Sequence, residues 1–172
     1  MWGTSANCYA YACNCKTPAN GVYGAAIPGA FAGDRVTRKQ NETDDDYYAR
    51  LVGGIMLDAA KNDVDNCKVS WNILSLPDAG AGYIIAMIAK KDGFHFFRRD
   101  RITKNWTSKD GNGGEVEGKI FSLVTQAYVT PITDAIFRDA IQTNPKNYMG
   151  WPGMGFVAYV GLGNINGMTV AG

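Results

Sequence analysis

Tyr83-Ile84-Ile85-Ala86-Met87-Ile88-Ala89-Lys90 is followed by Lys91-Asp92-Gly93, and then by Phe94-His95-Phe96-Phe97-Arg98-Arg99. The first run is apolar on both faces, so it reads as a central strand. Lys91-Asp92-Gly93 is a hairpin-type turn, and the second run returns beside the first. Side chains alternate across a strand, so Phe94 and Phe96 share one face while His95 and Phe97 share the other. Further along, Trp106 to Lys109 starts a third strand. A glycine turn at Gly111 to Gly114 then leads to another strand at Lys119 to Val124.

Upstream of this hairpin the chain reads as helical. Ser5 to Cys15 is a helix entered from a short arm, with Ser5 or Asn7 as its cap and Lys16-Thr17-Pro18 closing it. Residues 17–42 carry Gly21, Gly24, Pro28, Gly29 and Gly33 without periodicity and read as loop. Thr43 followed by Asp44, Asp45 and Asp46 is a cap with an acidic first turn. Tyr47, Tyr48, Leu51, Val52, Ile55 and Met56 then recur at helical spacing to about Lys61. Downstream, Pro131 at a first helical position opens a helix over Ile132 to Gln142. Two helices followed by antiparallel strands make the fold class α+β.

At 172 residues and 18.6 kDa the chain suits one domain with a full core. The organisation expected is a domain over 1–146 and an uncharged tail over 147–172, either part of that domain or a docking segment. Seven glycines and Pro152 interrupt the apolar residues of the tail, which argues against a membrane span. The 17 basic and 16 acidic residues leave a net charge of +1, which excludes proteins that coat DNA or anionic membranes through a basic excess. The same balance argues against single-strand stacking by Phe94, Phe96 and Phe97 with their neighbouring arginines, so no nucleic acid partner is expected. Met1-Trp2-Gly3-Thr4-Ser5 lacks a basic region and an apolar run, so no signal peptide is read and the location stays open.

Cys8, Cys13, Cys15 and Cys67 leave disulfides, a metal cage or separate roles as readings. The C-x4-C-x-C spacing is one residue short of the plant-type ferredoxin pattern, so neither metal nor cofactor is expected. Cys8 stands apart because it falls at a helix start, where the dipole and free N–H groups favour a thiolate and form half of an oxyanion hole. Asn7 and Cys8 together mark that helix start. The chain has a single histidine, His95. An imidazole that takes the thiol proton and returns it to a leaving group is what such a cysteine requires. A third, orienting polar group has candidates in Ser108, Asn105, Asp110 and Asp100, with Asp110 and Asn105 ranked together.

Asn7-Cys8-Tyr9-Ala10-Tyr11-Ala12, Pro28-Gly29, Asp92-Gly93-Phe94-His95-Phe96-Phe97-Arg98-Arg99-Asp100, Trp106 and Lys109 resemble a group of small papain-like cysteine hydrolases. That group pairs N-C-Y-x-Y-A with D-x-H-x-x-R and a downstream W-x-x-K. The wider set is similar to the papain fold of NlpC-type and CHAP peptidases and amidases. The resemblance spans about residues 5 to 125. It implies Cys8 as nucleophile and His95 as base, on a helix packed against a central antiparallel sheet. It also implies hydrolysis of an amide bond, with bacterial cell-wall peptide as the substrate class. Members often carry a second histidine where Ser108 stands here. The alternative is a structural or assembly protein, for example of a phage virion, that keeps the fold without turnover. On either reading the chain is expected to be virion-associated or exported without a leader, and to meet a partner or a second copy through residues 161–172.

Overall fold

Seven consecutive apolar residues have nowhere to go but the middle of a sheet, and that is where they lie. The computed structural model describes residues 6–16, 25–91, 93–110, 114–151, 153–163 and 166–171. Helices α1 (Cys8–Ala12) and α2 (Asp44–Lys61) precede strands β1 (Lys68–Ser70), β2 (Tyr83–Lys90), β3 (Gly93–Arg99), β4 (Trp106–Lys109) and β5 (Val116–Glu117). Strands β6 (Ile120–Ser122) and β7 (Ala127–Val129), helix α3 (Asp134–Arg138), and strands β8 (Tyr148–Met149) and β9 (Gly155–Leu162) follow. The main sheet is antiparallel throughout in the order β1-β9-β2-β3-β4-β5, and a second sheet has the order β7-β6-β8. The architecture is therefore α+β, and no helix among the described residues is long and apolar enough to cross a membrane.

The two faces of the main sheet carry separate cores. One packs α1 and α2 through Tyr9, Leu51, Val52 and Ile55 onto Ile85, Met87 and Phe96. The other packs Phe137 and Ile141 onto Ile84, Ala86, Ile88 and Phe97. In this second core the Trp106 ring stacks between Phe137 and Tyr159, at 4.6 Å and 5.5 Å between centroids. Burying each such side chain contributes about 1.5–3 kcal/mol.

Helix α2 begins as its sequence dictates, with the Thr43 hydroxyl accepting from the Asp46 N–H. Helix α1 is shorter than expected, and its cap is Asn7. Ser5, Thr17, Pro18 and Asp92, and most of the Gly111 to Gly114 turn, lie outside the described residues. The helix expected from Ile132 instead starts at Asp134 and runs on as a π-helical turn over Asp139–Thr143. The Ile132 carbonyl accepts from Trp106 N–H (2.8 Å), and Thr133 supplies the cap. The strand expected over Lys119 to Val124 stops at Ser122, turns, and pairs with β7.

Residues 161–172 are the expected route to a partner chain; in the chain itself β9 runs between β1 and β2 in the middle of the sheet, and residues after it pack inward. Met168, Val170 and Ala171 are buried in the chain's own structure. The Asn62 side chain bonds the Thr169 backbone in both directions (2.8 and 2.9 Å), and Ile27 N–H reaches the Ala171 carbonyl. Glycines permit this packing. A Cβ on Gly163 would lie 2.2 Å from the Asp65 carbonyl oxygen, and one on Gly167 would lie 2.7 Å from that of Cys13. Backbone meets backbone at both points.

Candidate active site

The ladder between β3 and β4 ends at the pair Phe97–Ser108, although β3 continues back to Gly93 along β2. Past Ser108, β4 pairs with β5 instead. His95, Ser108 and Asp110 gather where the two strands part.

Asn7 builds the first element. Its Oδ1 accepts from Ala10 N–H (3.0 Å) and its Nδ2 donates to the Ala26 carbonyl (2.8 Å), so one side chain both starts α1 and ties it to the following loop. Tyr9 stacks on Phe96 at 5.2 Å, and the Tyr11 hydroxyl meets Thr107 Oγ1 at 2.6 Å. Arg98 lies over the Tyr11 ring and donates to the Tyr11 carbonyl and to Asn14. These contacts fix α1 against β3 and β4.

Cys8 is the first residue of α1 and is buried. Burial pushes its thiol up to about 11, against backbone N–H groups of Phe96, Tyr9 and Cys8 itself that favour the thiolate, while the Asp110 charge adds to the rise. Five residues of helix carry too little dipole to reverse this, so the dipole-stabilised thiolate expected at the helix start does not form. The resting cysteine is a neutral thiol.

His95 is the neighbour in sequence of Phe96. Its side chain leaves β3 on the face shared with Phe97, whereas Phe96 packs with α1. The ring lies edge-on to Phe97 at 5.0 Å and parallel to Trp151 at 6.5 Å. His95 is 8% exposed, and its Nε2 has no hydrogen-bond partner among the described residues. Asp110 Oδ1 faces that nitrogen at 3.7 Å, too far for a hydrogen bond. Burial lowers the imidazole pKa and the Asp110 charge pulls it partly back, so the ring is neutral at pH 7. Cys8 packs on the Phe96 face of β3 whereas His95 leaves on the Phe97 face, and the Asp110 charge acts on both groups.

Of the orienting candidates, the structure brings Asp110 to His95. Ser108 is buried on the same face, opposite Phe97. Asn105 and Asp100 lie instead at the β3–β4 turn, where Asp100 N–H bonds the Asn105 carbonyl. That is the other end of the hairpin, about 13 Å away along β3 from His95 at strand rise. The four cysteines are all unbridged. No group of three or more His, Cys, Asp or Glu among the described residues has the arrangement to hold a metal ion.

Two residues escaped the sequence reading. Trp151 stands over His95, and its signal is a tryptophan in an uncharged turn between Gly150 and Gly153. Asp58 is wholly buried on α2 and accepts from Tyr9 Oη (2.8 Å), Gly29 N–H (2.9 Å) and Ala32 N–H (3.0 Å). Its signal is an acid on the apolar stripe of a helix. Asp58 thus holds α1, α2 and the Pro28-Gly29 turn in register, which sets the position of Cys8.

Compared with known proteins, the chain matches no family model, no curated protein and no solved structure.

Proposed function

We propose that this chain is a cysteine-dependent amide-bond hydrolase of papain-like fold, with Cys8 as nucleophile, His95 as general base and Asp110 as the group that orients and charges the imidazole. Cell-wall peptide is the substrate class. The observation that carries the reading is a buried, neutral imidazole whose Nε2 has no hydrogen-bond partner among the described residues, one residue before the Phe96 N–H that favours the Cys8 thiolate. A buried imidazole without a partner costs about 1–3 kcal/mol, a cost that stability alone does not repay.

In this mechanism the Cys8 sulfur attacks the amide carbonyl as His95 takes the thiol proton. The backbone N–H groups at the start of α1 accept the developing oxyanion charge. The C–N bond then breaks, His95 returns the proton to the departing amine, and a thioester remains on Cys8. Water, deprotonated by His95, hydrolyses the thioester and restores the thiol.

The test uses purified peptidoglycan or its soluble stem peptides, with newly released amines and carboxylates as the readout. Cys8→Ser and His95→Ala should each cut the rate by about 10³-fold or more, and the double variant should cost little beyond either. Full activity in Cys8→Ser, or no release of amine by the wild-type chain, overturns the reading. The assembly alternative draws on residues 161–172 meeting a partner; Met168, Val170 and Ala171 are buried within this chain, and no observation favours that alternative.

A further inference from the structure

A cavity of about 470 Å³ opens beside the candidate site, between the main sheet and the β6-β7-β8 sheet. Asp110 and Trp151, the two residues that flank the His95 ring, both line it. Glu117 lies on the same wall as Ser108, its partner across β4 and β5. Phe121, Tyr128 and Trp151 supply aromatic surface, and Lys119 completes the lining with its Nζ 4.6 Å over the Tyr128 ring.

The charges are unequal. Asp110 and Glu117 oppose one ammonium, and among the described residues no lysine or arginine pairs with either carboxylate. His95 lies within ion-pair range of Asp110, is buried, and aims at it a nitrogen without a hydrogen-bond partner among the described residues. Aromatic faces attract cations and cover aliphatic chains at the same time. An anionic group entering here would meet two carboxylates, whereas an ammonium on an aliphatic stem would meet charge and apolar surface together.

Building on the hydrolase reading, we propose that this cavity is a specificity subsite for a residue with an aliphatic side chain ending in a primary ammonium, held next to the scissile amide by Asp110 and Glu117 over Trp151. The subsite lies at the Asp110–Trp151 side of His95, so it selects which amide is presented to Cys8.

The test is binding, independent of turnover. His95 is the single histidine of the chain, so its ring protons give one isolated NMR signal beside the cavity. Nα-acetyl-lysine methylamide, Nα-acetyl-norleucine methylamide and Nα-acetyl-glutamate methylamide are titrated into wild-type protein and into Cys8→Ser. The lysine compound should bind about fivefold more tightly than the norleucine one at low salt, the range open to exposed charge pairs. The difference should shrink in 0.5 M NaCl and in Glu117→Gln, an exposed position whose change leaves the core untouched. Equal binding of lysine and norleucine compounds, or tighter binding of the glutamate compound, overturns the subsite. Cys8-dependent hydrolysis without the lysine preference removes this inference alone. Lysine-selective binding without hydrolysis removes the enzyme reading and leaves the cavity assignment in place.

Discussion

Asp58 and His95 are both buried polar side chains, one on the helix-covered side of the main sheet and one on the other. Asp58 is 0% exposed and has three donors converging on it from two other segments of chain, α1 and the 28–32 turn. His95 is 8% exposed, and its Nε2 has no partner among the described residues. Folding tolerates a buried polar atom when its hydrogen bonds are made, and an unmade one calls for another explanation. The carboxylate is a joint, and the imidazole is held ready for a group that arrives from outside. Burial outweighs the three donors at Asp58 and keeps its carboxyl above the ordinary range, so the ionised form depends on all of them.

The largest effect should come from emptying the joint. Asp58→Ala leaves the Tyr9 hydroxyl and the Gly29 and Ala32 N–H groups buried with no acceptor. It should lower the unfolding free energy by about 3–5 kcal/mol in urea titration. A loss under 1 kcal/mol would show that α1, α2 and the 28–32 turn hold together without it, and the contrast with His95 would vanish. Tyr9→Phe removes one of the three donors and keeps the ring on Phe96, so about 2 kcal/mol should go. Because Tyr9 follows Cys8 directly, Tyr9→Phe should also loosen the nucleophile. Alkylation of Cys8 by iodoacetamide, read by mass spectrometry against Cys67 as internal reference, should rise relative to wild type.

The contrast also marks what a sequence discloses. Strands β2 and β3 were legible because an apolar run without alternation, a turn and a second run are local signals. The cap at Thr43 was legible for the same reason. Strand β1 has three residues and pairs only with β9, so its pattern is too short to read alone. The place of β9 between β1 and β2 is a fact of sheet order, which no local composition encodes. The role of the tail glycines at 163 and 167 is close backbone approach, which depends on what lies opposite and is not legible locally. At the site, Cys8 and His95 stood out by residue type and by position on a helix start and a strand. Asp110 could be chosen over Asn105 only once the β3–β4 register was known. Trp151 reaches His95 through the fold, across 56 positions of chain.

The smallest expected effect is the sharpest test of the comparison. His95 has its pKa lowered by burial from the ordinary 6.5, with the Asp110 charge opposing that shift. Between the depressed value and 6.5 the unfolded chain therefore binds more protons than the folded one, and stability rises with pH across that window. The His95 contribution is complete above about pH 6.5 and is lost as pH falls through the depressed value. Melting temperature measured from pH 7.5 down to 5 should decline in wild type by a component that is absent in His95→Gln. At pH 7.5 the His95→Gln variant should differ from wild type by less than about 0.5 kcal/mol, because Nε2 has no hydrogen bond to lose. Asp110→Asn takes away the charge that favours imidazolium and should extend the decline to lower pH and deepen it, its onset near pH 6.5 staying where the unfolded chain sets it. The ring protons of the single histidine report the same titration directly by NMR. If His95→Gln instead costs 2 kcal/mol or more at pH 7.5, His95 is a structural joint like Asp58, and the unpartnered nitrogen has lost its claim to chemistry.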